Sequence, residues 1–119
     1  VVYKYTNITF LRNIDNMAEI MSRCDVAVSS RGRTCFELGA LGIPTLSIPQ
    51  HEREELHTFV CQENGYLCLN ARPKFNEVEK ALDTLVNMDK KKRLDLQKKR
   101  LVHDLRNGRR NVVDKILSF

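Results

Sequence analysis

Short apolar runs alternate with amphipathic segments along most of the chain, at a spacing of about 20 residues. These runs predict strands over residues 8–11, 25–30, 45–48 and 66–69. The run at 25–30 shows no alternation of apolar and polar residues, as expected for a strand that is covered on both faces. Strands that alternate with helices form parallel sheets from βαβ units. The chain is therefore predicted to have an α/β fold, with a parallel sheet flanked by helices.

Helices are predicted between and after these strands. Leu56, Phe59 and Val60 recur at i, i+3 and i+4, which indicates an amphipathic helix over residues 52–63. Gly42 is placed to end an earlier helix. The predicted helices span residues 17–21, 34–41, 52–63 and 75–88, followed by two more that break at Asn107 and Gly108. The first of these two carries an apolar stripe of Leu94, Leu101 and Leu105, and the second one of Val112, Val113, Ile116 and Leu117.

The length and composition fit one domain over residues 1–119. A chain of 119 residues with 42% hydrophobic content can bury a real core. No run approaches the ~18 apolar residues of a membrane-spanning helix. Because the first residue is Val and no signal-peptide pattern follows it, we expect a fragment of a larger protein. The four cysteines lack metal-ligand spacing, so we expect a reduced, cytoplasmic protein without disulfide, metal or cofactor.

Charge is distributed unevenly along the chain. Residues 1–88 carry 9 Lys or Arg and 11 Asp or Glu, whereas residues 89–119 carry 11 and 4. A basic segment can bind nucleic acid or an anionic membrane surface. No aromatic residues interleave the basic run at residues 90–100, and the apolar stripe there has a use in covering the sheet. We therefore favour the solvated face of an amphipathic helix, which makes nucleic acid an unfavoured partner.

The most informative segment runs from Asp25 to Glu55, DVAVSSRGRTCFELGALGIPTLSIPQHEREE. In it a strand leads through a polar turn around Gly32 into a helix. Such a turn presents the free N–H groups of the first helical turn and the positive end of the helix dipole. Together these groups suit an anion such as a diphosphate. Arg31 and Arg33 can add positive charge there, although the sequence fixes the direction of neither side chain.

Glu37 lies three residues after Thr34, and two explanations compete for it. It can close a capping box with Thr34, which is a purely structural role. Alternatively, its carboxylate can accept hydrogen bonds from both vicinal hydroxyls of a ribose, because a carboxylate is an acceptor only. The pattern alone favours the capping box.

The pattern DxxxSxxGxTxxELxxLGxPxLxxP, preceded by NMAEIM and followed by QHEREELHTF, resembles the C-terminal domain of GT-B-type nucleotide-sugar enzymes. It is most similar to the UDP-sugar hydrolase of pseudaminic acid synthesis and the related spore-coat polysaccharide proteins. Similar domains are fused to acylneuraminate cytidylyltransferases. The resemblance covers residues 8–70 as the nucleotide-binding core, and helices over 75–119 are compatible with it. It implies a Rossmann-like sheet and a UDP-sugar ligand.

The resemblance also implies roles for individual positions, and it makes ribose binding the favoured role of Glu37. The loop implied to hold the diphosphate through backbone N–H groups consists of Ser30, Arg31, Gly32, Arg33 and Thr34. The residues implied to border the base are Asn13, Ile14 and Met17. Those implied to face the sugar and the interdomain cleft are Gln50, His51 and Glu54.

Three positions depart from the usual pattern of these relatives. They often carry Gly or Ala where Arg31 and Arg33 stand, and Asn where His51 stands. The arginines can strengthen phosphate binding or block a sugar, so the substrate stays open. His51 is a candidate general acid or base, but nothing in the sequence orients it, and we favour a role outside the chemistry.

The leading function is UDP-sugar binding for glycosyl transfer or hydrolysis in surface-polysaccharide or nonulosonic acid synthesis. The resemblance implies that catalytic groups lie in an N-terminal domain of the same protein, so this chain alone is expected to be inactive. One alternative is an accessory domain of a CMP-sugar cytidylyltransferase fusion. The other is a non-enzymatic module that binds nucleic acid or a protein partner through the basic helices.

Overall fold

Three short parallel strands form the sheet at the centre of the fold. The computed structural model describes residues 6–119. Strand β1 (Ala27–Ser29) pairs with β2 (Thr45–Ser47), which pairs with β3 (Leu67–Cys68), so the strand order follows the chain. Ala27 lies opposite Thr45, and Leu46 lies opposite Leu67. The predicted parallel sheet flanked by helices is confirmed.

Five α-helices accompany the strands in the described part of the chain. They are α1 (Met17–Ser22), α2 (Arg33–Leu41), α3 (Phe75–Val86), α4 (Lys90–Leu101) and α5 (Gly108–Leu117). Two short 3-10 helices cover Glu52–Leu56 and Leu105–Asn107. Gly42 ends α2 in the left-handed region with φ of 73°, as the sequence predicts. None of these helices is long and apolar enough to cross a membrane.

The core lies on both faces of β2, whose three residues are all buried. On one face Leu46 packs with Leu85 of α3 and with Met88. On the other face Cys35 of α2 packs with Tyr66 and Val60. This double coverage explains why the strands are short apolar runs without alternation.

Two predicted elements are wrong. Residues 8–11 form no strand, and Ile8, Phe10 and Leu11 are more than half exposed. A β-rich run does not become a strand without an adjacent strand and a surface against which to pack. The helix predicted over 52–63 is a 3-10 turn of five residues followed by turns. There the side chain of Asn64 donates to the Phe59 carbonyl at 2.8 Å, which competes with helical hydrogen bonding.

The packing predicted for the C-terminal helices is also wrong, except at Leu105, which is half-buried in the 3-10 helix after α4. In α4 the inward side chains are Leu96 and Arg100, whereas Leu94 and Leu101 are 43% and 47% exposed. Arg100, predicted to lie on a solvated basic face, is fully buried. All residues of α5 after Gly108 are exposed, including its four predicted stripe residues, so α5 does not cover the sheet. The charge pattern predicts the wrong inward face of α4, because a long arginine side chain can occupy a core position when its N–H groups donate to carbonyls.

Candidate functional site

Helix α2 begins at the carboxyl edge of the sheet, directly after β1. The N-cap of α2 is Gly32, and no side chain caps this helix. Within residues 6–119, the backbone N–H groups of Gly32, Arg33 and Thr34 have no hydrogen-bond partner. Three free donors at the positive end of a helix dipole are well suited to bind an anion. We call residues 30–34 the phosphate turn, after the ligand that this geometry fits.

The phosphate turn is fixed by Arg31, which is only 9% exposed. Its guanidinium donates from Nη2 to the Leu69 carbonyl at 3.0 Å and from Nε to the Ser47 hydroxyl at 3.4 Å. Its own carbonyl accepts a hydrogen bond from His57 Nδ1 at 2.7 Å. The Arg31 charge therefore lies beneath the turn and ties it to β2 and to the end of β3. Arg33, by contrast, is exposed at the start of α2.

Glu54 ties together the loops after β1 and β2. Its Oε2 accepts hydrogen bonds from the backbone N–H of Gln50 at 2.9 Å and from that of Arg31 at 3.2 Å. Next to it, Glu55 accepts from the backbone N–H of Ala71, after β3, at 2.6 Å. The acidic run thus connects the loops that follow all three strands. No spacing in the sequence distinguishes these carboxylates from the solvated start of a helix.

A buried thiol and a buried phenol support the phosphate turn from below. Cys35 Sγ donates to the Ser30 carbonyl at 3.0 Å, and burial raises the pKa of this thiol. The Tyr66 hydroxyl donates to the Cys35 carbonyl at 2.8 Å, and burial raises its pKa to about 12. Both groups stay protonated near neutral pH, so they act as hydrogen-bond donors rather than as nucleophiles.

The capping role considered for Glu37 is wrong. Helix α2 begins at Arg33 with Gly32 as its N-cap, so Thr34 lies inside the helix and closes no box. The Glu37 carboxylate is exposed and contacts no hydrogen-bond donor within residues 6–119. With the structural explanation removed, this side chain is available to a ligand.

Glu37 lines a cavity of about 410 Å³ between α1 and α2, which we call the α1–α2 cavity. Of the residues predicted to border a base, Met17 lines this cavity, whereas Asn13 and Ile14 precede α1 outside its wall. Asn13 has a positive φ of 52°. The remaining lining residues are Asp15, Ala18, Met21, Ala40, Leu41 and Arg106. Neither Asp15 nor Arg106 was identified as a candidate from the sequence.

The residues predicted to face a sugar lie on or next to the loop after β2, which Glu54 joins to the phosphate turn. Gln50 and His51 are exposed after β2, and the His51 imidazole has no hydrogen-bond partner within residues 6–119. No described neighbour orients the His51 imidazole for proton transfer. The structure therefore brings the phosphate turn and Glu37 together on α2, and it leaves His51 apart on a neighbouring loop.

An α/β sheet with a helix N-terminus and free N–H donors at its carboxyl edge is typical of nucleotide-binding domains. The model of the glycosyltransferase family 28 C-terminal domain matches residues 1–112 of the chain. The chain belongs to this family. It has the fold of the C-terminal, Rossmann-like half of a GT-B glycosyltransferase.

One relative extends the comparison without adding a function. Uncharacterized protein MJ1062 of Methanocaldococcus jannaschii is 45% identical over 49 residues, which cover 41% of this chain and 10% of that protein. The chain thus spans about a tenth of the length of this relative. No solved structure matches the chain at a significant level.

Proposed function

We propose that this chain is the UDP-sugar-binding half of a glycosyltransferase or nucleotide-sugar hydrolase. The observation that supports this proposal is the combination of two features on α2: three unpartnered N–H donors at its start and a free carboxylate at Glu37. A diphosphate at the phosphate turn would place the adjoining ribose about one helical turn along α2, where Glu37 lies. Glu37 would then accept hydrogen bonds from the two ribose hydroxyls.

The roles of the remaining predicted residues follow from their contacts. Arg31 would position the phosphate turn rather than contact phosphate, because its guanidinium is bonded to Ser47 and Leu69. Arg33 is the arginine that can reach a phosphate from solvent. Glu54 would hold the two loops in place, because its Oε2 is bonded to both. Gln50 and His51 stay available to a sugar.

We further propose that the pathway is surface-polysaccharide or nonulosonic acid synthesis in the cytoplasm. This finer assignment rests on the resemblance of residues 8–70 to the hydrolase of pseudaminic acid synthesis. The catalytic groups would come from an N-terminal domain, because His51 has no oriented partner and the described part of this site offers no other histidine aimed at a ligand. Alone, the chain would bind nucleotide without turning over a sugar.

The test is a titration of the chain with UDP, CMP and CDP, followed by NMR of the backbone amides. UDP should shift the amide signals of residues 13–17 and 29–37. Glu37→Gln should weaken UDP binding about tenfold, because an amide offers one acceptor oxygen where the carboxylate offers two. The matched control is Glu79→Gln on α3, which is equally exposed and lies away from the cavity, and which should leave UDP affinity unchanged.

Other outcomes of this titration would favour one of the alternative functions or refute nucleotide binding. A preference for CMP or CDP would favour the cytidylyltransferase fusion. Salt-sensitive binding of DNA or RNA, lost when residues 90–93 are neutralised, would favour the nucleic-acid module. No amide shift at millimolar UDP, CMP or CDP would refute the nucleotide-binding proposal.

A further inference from the structure

Arg106 lies at the end of the α1–α2 cavity that is remote from the phosphate turn. It belongs to the 3-10 helix that follows α4, so it comes from a part of the chain outside the predicted nucleotide-binding core. Its Nε donates to the Ala40 carbonyl near the end of α2 at 2.9 Å. Its two terminal amino groups have no partner within residues 6–119. One bond therefore anchors a guanidinium whose other donors are free beside the cavity.

The rise of α2 places the parts of a nucleotide along the cavity wall. From Arg33 to Glu37 is four residues, or about 6 Å at 1.5 Å per residue, and from Arg33 to Ala40 is about 10 Å. Phosphate at the start of α2 and ribose at Glu37 would leave the base beside Ala40 and Arg106. Apart from Asp15, the other residues that line the cavity are apolar, among them Met17, Met21 and Leu41. An apolar wall ending in a few polar groups is typical of pockets that bind a flat ring.

The chemistry of Arg106 restricts the edge of the base that can face it. A guanidinium carries donors only, so it binds carbonyl oxygens and repels amino groups. Uracil presents two carbonyl acceptors, whereas adenine has no carbonyl, and its acceptors N1 and N7 lie on either side of the N6 amino group, which the guanidinium repels. We propose that Arg106 is a base-selecting residue, which binds a carbonyl-bearing uracil edge and discriminates against adenine. The inference rests on the proposed nucleotide site and adds the origin of its base preference.

The experiment compares the affinities for UDP and ADP of the wild-type chain, Arg106→Met, Arg106→Lys and Arg109→Met. Methionine keeps the length and apolar stem of Arg106 and removes its donors. Arg109 is exposed on α5 and does not line the cavity, so its variant is a matched control for loss of one positive charge. Isothermal titration gives each dissociation constant, and thermal unfolding shows that each variant is folded.

We expect wild type to prefer UDP, and Arg106→Met to lose about tenfold in UDP affinity with ADP affinity nearly unchanged. Arg106→Lys, which keeps charge and a donor, should retain part of the preference, and Arg109→Met all of it. If Arg106 only caps α2, UDP and ADP affinities fall together and their ratio stays constant, which overturns the inference. Should Arg106→Met fail to fold, the ratio measured for Arg106→Lys decides.

Glu37→Gln separates this inference from the proposed function. Weaker UDP binding in Glu37→Gln with an unchanged UDP-to-ADP ratio in Arg106→Met refutes base selection alone. Absence of UDP binding in the wild-type chain refutes both.

Discussion

Arg100 is the buried cation on which the packing of α4 depends. Its guanidinium is fully buried and donates to the carbonyls of Gly42 and Gly65, the former at 2.9 Å. It also lies over the Tyr66 ring, 5.8 Å from its centroid, while its Nε has no partner within residues 6–119. No carboxylate pairs with it there, and burial lowers the pKa of Arg100. Two carbonyls and one ring thus hold this charge in the core.

Arg100→Met tests whether those contacts stabilise the fold. The substitution leaves two buried carbonyls without a donor, at about 1–3 kcal/mol each. It also removes the cost of burying a cation, which offsets part of that loss. We expect a net fall of about 2–4 kcal/mol in the free energy of unfolding, a large share of a typical domain's 5–15.

Urea unfolding followed by circular dichroism measures the change. With an m-value of about 1–3 kcal/mol per molar urea, the midpoint should fall by at least about 0.7 M. Lys99→Met is the control, because Lys99 is the exposed neighbour on α4 and its loss should move the midpoint little. An Arg100→Met chain as stable as wild type would refute the reasoning. It would mean that the free-energy cost of burying the cation equals the stabilisation from its hydrogen bonds.

Three further predictions test the close contacts of the fold. Gly39→Ala should destabilise the chain by about 1–3 kcal/mol in urea unfolding, because a Cβ there would lie 2.3 Å from the buried Tyr66 hydroxyl. Gly65→Ala should destabilise the chain by a similar amount, because φ is +86° and a Cβ would lie 2.4 Å from a carbonyl of α4. Gly108→Ala is its control: a Cβ there would have no atom within 4 Å, so this change should be neutral or stabilising by up to about 1 kcal/mol. Equal losses of stability in Gly65→Ala and Gly108→Ala would contradict this account. Glu54→Gln should speed hydrogen exchange of the two backbone amides it binds, and unchanged exchange rates would show that the loops hold without the carboxylate.

The sheet and most helices could be predicted because their signals are local. Apolar runs of four to six residues, Gly42 after a helix and helical spacing in α3 all depend on neighbours in sequence. The failures depend on distant partners. A strand over residues 8–11 needs an adjacent strand, and the orientation of α4 depends on carbonyls 35 and 58 residues away. No window of sequence contains that information.

The candidate site divides in the same way. The strand–turn–helix pattern predicts the turn at residues 30–34, and the resemblance, not the pattern, favours Glu37 as a ligand residue; the surroundings of both could not be predicted. The sequence leaves the direction of the Arg31 side chain open, and the structure bonds its guanidinium to Ser47 and Leu69. Arg106 could not be predicted as a site residue, because nothing in the sequence around it indicates its contact with Ala40 of α2, 66 positions earlier.

The contacts of Arg31, Glu54 and Glu55 explain how such short strands can present an ordered site. Strands of two or three residues fix little backbone beyond their own ends. Here side chains supply the missing order, because Glu54 joins the loops after β1 and β2 and Glu55 holds the loop after β3. A turn fixed before binding loses less conformational entropy when a ligand arrives, and that saving appears as affinity. Arginine at position 31, where relatives of this pattern often have Gly or Ala, therefore fits the role of positioning the phosphate turn better than that of contacting phosphate.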